Sequence, residues 1–422
     1  MSTQLDRLFA RYSQLPNSCV SIIDQGTSYL IIVGGGSRRP NRSKAFVYAK
    51  EGINVGGTRD RWVSTGDIGS QIEFYTPTIP TTSPPTPPSP EFDTITSSYN
   101  TTDGYGEVDL EQVLEDILDV DLPSQPDQAL VEDNRIDNYG LDQIGAPEAW
   151  AAGYTGEGII VAVLDTGVDT DHFDLDEKIW INEDEIAGDG IDNDNNGYID
   201  DVKGWNAVDE NNNVEDTDGH GTHVAGTIAA EENGVGIVGA AYGVRIMPVK
   251  VFDDEGSGAW TDIAQGIYYA VDNGANIINM SLGGGYTTVQ IVEDAIRYAN
   301  DNGVMCVMAA GNEGAPVPAA PGTYASEYGI VVGAVDENGA LAGFSNRAGG
   351  PTDWDGDGAE NPLYVTSSGV GIFSTLPDDF WGGKSGTSMA TPFVAAAVAI
   401  MMQADPTLSL DQIRVALANN TK

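Results

Sequence analysis

The apolar positions between residues 159 and 335 fall into short continuous runs instead of strict alternation. Runs at 159–164, 244–252, 275–281, 304–309 and 329–335 have the pattern of strands buried on both faces of a parallel sheet. Between them, residues 223–232, 259–273 and 288–302 repeat their apolar side chains at helical spacing. Strands alternating with helices of this length predict an α/β domain, a parallel sheet with helices on both faces, running from 139 to 422. Residues 393–402 are apolar nearly all round, so a helix is expected through the middle of that domain. Residues 409–419 read as a further helix.

The pattern upstream is different. Residues 1–75 read as a small β-rich module, with strand-like runs at 19–23 and 29–33 and a break at Gly34-Gly35-Gly36. Residues 76–138 read as a linker and acidic segment. Its start, 76–90, is rich in Pro, Thr and Ser and is expected to be extended and semi-rigid. Within it, 108–122 sets acids among Leu, Val and Ile at helical spacing, which fits a short amphipathic helix or a solvated tail. Residues 123–138 are polar, an expected site of processing.

Charge sharpens this division. The net charge is −45, yet residues 1–75 hold nine basic against six acidic side chains, and the remainder ten against 58. So acidic a body repels nucleic acid and anionic membrane surfaces, and it suits bound calcium, saline surroundings, or both. The cluster Arg38, Arg39, Arg42 and Lys44 reads as a solvated loop or as a patch with which the N-terminal module docks on the acidic domain. No long apolar span suggests membrane insertion. The first residues lack the apolar centre of a secretory signal, so a cytoplasmic location or export by another route is expected. Cys19 and Cys306 give no disulfide framework.

Three local motifs carry chemistry. Ser385-Gly386-Thr387-Ser388 feeds straight into the apolar run, so the Ser388 hydroxyl stands at a helix start, as a nucleophile or as an N-cap. Residues 159–164 end on Asp165-Thr166-Gly167, a carboxylate followed by a turn. Asp218-Gly219-His220-Gly221-Thr222-His223 opens another helix with a histidine at its head. A hydroxyl nucleophile needs an adjacent base, and that base needs an orienting carboxylate.

In their order Asp165, His220, Ser388, these motifs resemble those of the subtilisin-like serine proteases. The resemblance implies a subtilisin-like parallel αβα sandwich and a serine endopeptidase working through an acyl-enzyme on Ser388. It implies polypeptide substrates, His220 as general base, Asp165 as its orienting partner and Asn312, in Ala309-Ala310-Gly311-Asn312-Glu313-Gly314, as an oxyanion donor. His223 is expected to support packing, and His172 a structural role. By the same resemblance Gly256, Ser257, Gly258 and Ser281, Leu282, Gly283 form the strand edges that bind a peptide, with Glu313 at the rim of the P1 pocket. A catalytically idle scaffold of this fold and a specialised peptide-maturation protease are the rival readings.

Calcium is the expected cofactor. The run from Asp192 through Asp194, Asn196 and Asp200 puts oxygens at positions 1, 3, 5 and 9 of a calcium loop, with Gly197 at 6. Position 12 is Lys203, so Asp189 or Asp201 is expected to complete the set. Asp353, Asp355 and Asp357 repeat the spacing. By resemblance, Asp174 and Asn233 belong to a further structural calcium site, where Arg135 replaces the family's usual glutamine.

Overall fold

In a computed structural model the described residues are 94–122, 138–324, 328–349 and 363–422, together with the backbone of four strands near the N-terminus. The chain divides into two compact units, Met1–Pro85 and Thr86–Lys422. In the first, β1 (Val20–Asp24), β2 (Ser28–Gly34), β3 (Arg42–Ala49) and β4 (Trp62–Ser64) form an antiparallel sheet in chain order. Arg42 and Lys44 fall in β3; Arg38, Arg39 and Cys19 lie outside the described residues.

The second unit holds β5 (Ile160–Asp165), β6 (Trp205–Asn206), β7 (Arg245–Lys250), β8 (Ile277–Met280), β9 (Met305–Ala309), β10 (Gly329–Val335) and β11 (Tyr364–Ser368). They form one parallel sheet in the order β11-β10-β9-β8-β5-β7-β6. A hairpin of β12 (Ile372–Leu376) and β13 (Phe380–Lys384) stands apart. Its main helices are α1 (Leu110–Leu118), α2 (Tyr139–Ile144), α3 (Ala146–Ala151), α4 (His220–Ala229), α5 (Trp260–Asp272), α6 (Gln290–Asp301), α7 (Thr387–Ala404) and α8 (Leu410–Asn419). This is the α/β sandwich that the apolar runs predict.

Each strand sends alternate side chains to opposite layers. Val161, Val163, Ile277, Val307 and Val332 join Val224, Phe393 and Val398 of α4 and α7 on one face. Ala162, Leu164, Ile278, Cys306 and Val331 join Ile263, Ile267 and Ile296 of α5 and α6 on the other. Both faces being dry, the strands read as continuous apolar runs. Burying each such large side chain stabilises by roughly 1.5–3 kcal/mol. Contrary to the sequence expectation, α7 does reach the length and hydropathy of a membrane span; its 18 residues are 83% buried inside the domain.

The acidic segment also differs from expectation. Residues 105–108 hydrogen-bond along the outer side of β11, Tyr105 N–H to Tyr364 O at 3.0 Å and Val108 N–H to Thr366 O at 3.0 Å. Leu110, Val113, Leu114 and Ile117 of α1 are buried in the layer that holds α7. The boundary drawn at 139 thus falls inside the compact unit, and α1 is core rather than solvated tail. Covering β11 closes a sheet edge that would otherwise expose unpaired backbone groups.

Candidate active site

The sheet delivers Asp165 at the C-terminal end of β5, and α4 begins on His220. The two meet because α4 enters against the turn after β5: a Cβ on Gly221 would lie 2.0 Å from Gly167 O and 3.0 Å from Asp165 Cβ. Gly167 itself turns with φ +111°, where a side chain is strained. His220 Nδ1 lies 2.7 Å from Asp165 Oδ1, which also accepts the Thr166 N–H at 2.8 Å. Asp165 is fully buried, and its Oδ2 has no hydrogen-bond partner. Burial pulls the His220 pKa down, but the charge and hydrogen bond of Asp165, with help from Asp218 and against Lys384, raise it on balance above the ordinary histidine value.

Ser388 sits in the first turn of α7, whose N-cap is Gly386; the serine is therefore not the cap. Its Oγ donates to Ser281 O at 3.1 Å, and Ser281 Oγ donates back to Ser388 O at 2.8 Å. The return bond has a covalent cause. Pro392 lacks the N–H that would bond the carbonyl four residues earlier, so Ser388 O is free for another donor. His220, Ser388 and Asn312 line one cavity of about 270 Å³.

Asn312 is oriented by a residue that the sequence reading did not single out. Thr387 donates to Asn312 Oδ1 from its N–H at 2.8 Å and from its hydroxyl at 3.1 Å. With Oδ1 taken up, Nδ2 is the end of the amide left for a ligand in the cavity. Thr387 Oγ1 in turn accepts the Gly311 N–H at 3.1 Å.

Of the expected peptide-binding residues, Gly256, Ser281, Leu282, Gly283 and Glu313 line this cavity. Ser257 and Gly258 do not; Ser257 closes a turn with Asp253 through paired bonds of 2.8 Å. Glu313 Oε2 accepts from Asn346 Nδ2 at 2.8 Å and from the Tyr286 hydroxyl at 3.4 Å, fixing the carboxylate at the wall. His223 donates Nε2–H to Ile372 O and Gly382 O at 3.0 and 3.1 Å, tying the β12–β13 hairpin to α4. Burial drives its pKa down to about 4. His172 bridges the Asp174 N–H and Phe380 O.

The acidic loop folds differently from its spacing template. The carboxylates that converge are Glu185, Asp194 and Asp201, with oxygens within 4.8 Å of one another. Asn196 joins them through Nδ2, 3.1 Å from Asp194 and 3.2 Å from Asp201. Asp192 lies outside this group and accepts the N–H groups of Asn196 and Gly197, and Asp200 those of Asp189 and Gly190; Glu185 and Asp194 also accept loop amides, including those of Asp200 and Asn196. Glu185 has no place in the spacing template, and Asp201 is one of the two residues expected to complete its set. Burial raises the pKa of Asp201, opposed by hydrogen bonds from Tyr269, Asn196 and Asn182. Asp174 and Asn233 are brought together at 2.9 Å. Asp353, Asp355, Asp357 and Arg135 lie outside the described residues.

The profile of the Subtilase family matches residues 156–422. The chain belongs to the subtilase family. Subtilisin E of Bacillus subtilis (strain 168) is 37% identical over 307 residues, 70% of each chain. Alkaline elastase YaB of Bacillus sp. (strain YaB) is 38% identical over 281 residues, 67% of this chain and 64% of its own. Subtilisin Savinase of Lederbergia lenta is 37% identical over 281 residues, covering 90% of its length and 67% of this chain. This subtilase is a serine endopeptidase.

Proposed function

We propose that this subtilase cleaves internal peptide bonds with Ser388 as nucleophile, His220 as general base and acid, and Asp165 holding the imidazole. Asn312 Nδ2 and the Ser388 N–H are the oxyanion donors. The observation that carries this reading is the 2.7 Å contact of His220 with buried Asp165, at a cavity lined by His220, Ser388 and Asn312. The Ser388 hydroxyl adds to the scissile carbonyl as His220 takes its proton. That proton then passes to the leaving amine, and water repeats the sequence on the acyl-enzyme. Neutral His220 is required, so activity should rise with pH through an acid limb set by its raised pKa.

The cavity wall suggests which P1 residues are accepted. Ser281, Leu282, Gly283 and Ala309 offer small, uncharged surface for large apolar side chains, while Glu313 and Asp218 add carboxylates. Basic P1 residues should therefore be cleaved alongside apolar ones, and acidic P1 residues poorly. In peptides differing only at P1, kcat/KM for Arg should exceed that for Glu by at least about tenfold at low salt, equivalent to about 1.4 kcal/mol. The ratio should shrink at 1 M salt, where the screening length is about 3 Å. Equal cleavage after Glu and Arg at low salt contradicts this, and release of terminal residues alone contradicts endopeptidase action.

Calcium is the second part of the proposal. Glu185, Asp194 and Asp201 form an all-oxygen, hard donor set that fits calcium; Asp169, Asp171 and Glu215 are a second such cluster, and Asp174 with Asn233 is a candidate by resemblance. Bound cations would offset repulsion among these carboxylates and brace the loops. Chelation should lower the melting temperature. A site held at about 100 times its Kd contributes about 2.7 kcal/mol. At roughly 2–4 °C per kcal/mol for a domain of this size, each such site should shift the midpoint by about 5–10 °C. Sodium chloride should restore only part of the loss, since screening lacks coordination geometry. An unchanged midpoint at low salt, or complete rescue by sodium chloride, contradicts calcium binding.

A further inference from the structure

The first-turn N–H groups of α4 find their acceptors in side chains, and the arrangement passes through one buried acid. The N-cap, Gly219, has no side chain to cap with. Gly219 N–H donates instead to Asp216 Oδ1 at 2.9 Å and Thr222 N–H to Asp216 Oδ2 at 2.9 Å. His220 N–H donates to Asp218 Oδ1 at 3.1 Å, and Gly221 N–H to Thr166 Oγ1 at 3.0 Å. Asp216 is only 5% exposed. Besides these two amides, Oδ1 accepts from the Asp218 N–H at 3.1 Å and the Thr166 hydroxyl at 2.9 Å, and Oδ2 accepts from the Thr222 hydroxyl at 2.6 Å.

These bonds join the two segments whose relative position sets the Asp165–His220 contact. Thr166 immediately follows Asp165, and its hydroxyl touches both Asp216 and the residue after His220. Thr222 Oγ1 accepts the Asp169 N–H at 3.0 Å, a second strap from the same loop to α4. Lys250 Nζ, on the neighbouring strand β7, donates to Thr166 O at 2.6 Å and pins the loop from the other side. The carboxylate is saturated: about four lone-pair directions serve five donors. A buried anion so fully paired, at the positive end of a helix, is stable there and stiff.

We propose that Asp216 is a positioning residue for the hydrolytic reaction, locking the start of α4 to the loop after β5 so that His220 is held on Asp165. The inference rests on the assignment of His220 and Asp165 above. An amide cannot do the same work. Whichever oxygen of Asp216 becomes an NH2 group in Asp216→Asn, it faces at least two donors, so one side of the junction must open.

The test uses the full-length protein, with kcat and KM taken per mole of folded enzyme well below each melting midpoint. Asp216→Asn should lower kcat by about 10- to 100-fold, the scale of a misplacement near 1 Å, and leave KM within about threefold. The acid limb of kcat/KM should move to lower pH, because loosening Asp165 removes what raises the His220 pKa. Of the other charges facing His220, Lys384 opposes that rise. Asp218 supports it and is itself held by Asp216 through its N–H, so its loosening acts in the same direction. Thr222→Val, which removes one strap, should show the same signature. Thr222→Ser, which keeps the hydroxyl, should behave like the parent. Folded Asp216→Asn with parental kcat and an unmoved acid limb overturns the inference. Should Asp216→Asn fail to fold, equal behaviour of Thr222→Val and Thr222→Ser overturns it instead. Ser388→Ala run in parallel separates the two levels. Activity surviving there removes the triad assignment itself, whereas an inactive Ser388→Ala beside a normal Asp216→Asn removes only the role of Asp216.

Discussion

Ser388→Ala should reduce peptide hydrolysis by on the order of 10⁶ in kcat, a magnitude borrowed from subtilisin, where loss of the nucleophile alone has that effect. The fold should survive. The hydroxyl's hydrogen bond in this structure goes to Ser281 O, and one such bond contributes about 1 kcal/mol. Alanine is a better helix former than serine, and the N-cap of α7 is Gly386, so the helix start loses nothing. Ser281 Oγ still reaches the carbonyl at position 388, since that bond needs only backbone. Circular dichroism and the melting midpoint should stay close to the parent while turnover vanishes. Purified Ser388→Ala with near-parental hydrolysis would show that the acyl group is carried elsewhere.

Asn312→Ala should cost 10²–10³ in kcat with little change in KM, on the order established for the oxyanion amide of subtilisin. An oxyanion exists only after attack, so a donor aimed at it stabilises the transition state and not bound substrate. The alanine also removes the acceptor of the Thr387 N–H and hydroxyl, which disturbs the first turn of α7 beside Ser388. Asn312→Asp separates the effects, because it keeps an oxygen for Thr387 and replaces the donor end by a second oxygen. It should be at least as inactive as Asn312→Ala. Steady-state kinetics of the two variants checks this, and a loss appearing only in KM contradicts the oxyanion role.

Much of this was legible in the sequence because the relevant signals are local. The five main strands are dry on both faces, so each announces itself as a run of consecutive apolar residues, within two residues of its observed bounds. The motifs around Asp165, His220 and Ser388 are equally local, each a strand end or helix start, and in the first two Gly167 and Gly221 are demanded by close backbone approach. What stayed hidden depends on partners far along the chain. Strand β6 is two residues long, too short for any periodicity. The docking of α1 depends on α7, β11 and Thr421, hundreds of residues away, so an amphipathic acidic helix and a solvated tail looked alike.

The acidic loop departs from its spacing template for a related reason. Spacing alone cannot tell which carboxylates converge: Asp192, Asp194, Asp200 and Glu185 all accept amides of their own loop, yet only Glu185 and Asp194 among them come together with Asp201. Asp216 carried a signal that was there to be used. A helix capped by glycine must find acceptors elsewhere, and an aspartate three residues before Gly219 is well placed to supply them.

The central claim is that Ser388 is made nucleophilic by His220. The most direct measurement is modification by a fluorophosphonate, with the adduct located by mass spectrometry of the digested protein. The account predicts one adduct per molecule, on Ser388, formed rapidly in the parent and slowed by orders of magnitude in His220→Ala at equal folded fraction. An adduct on another residue, or labelling of Ser388 at the same rate without His220, would contradict it.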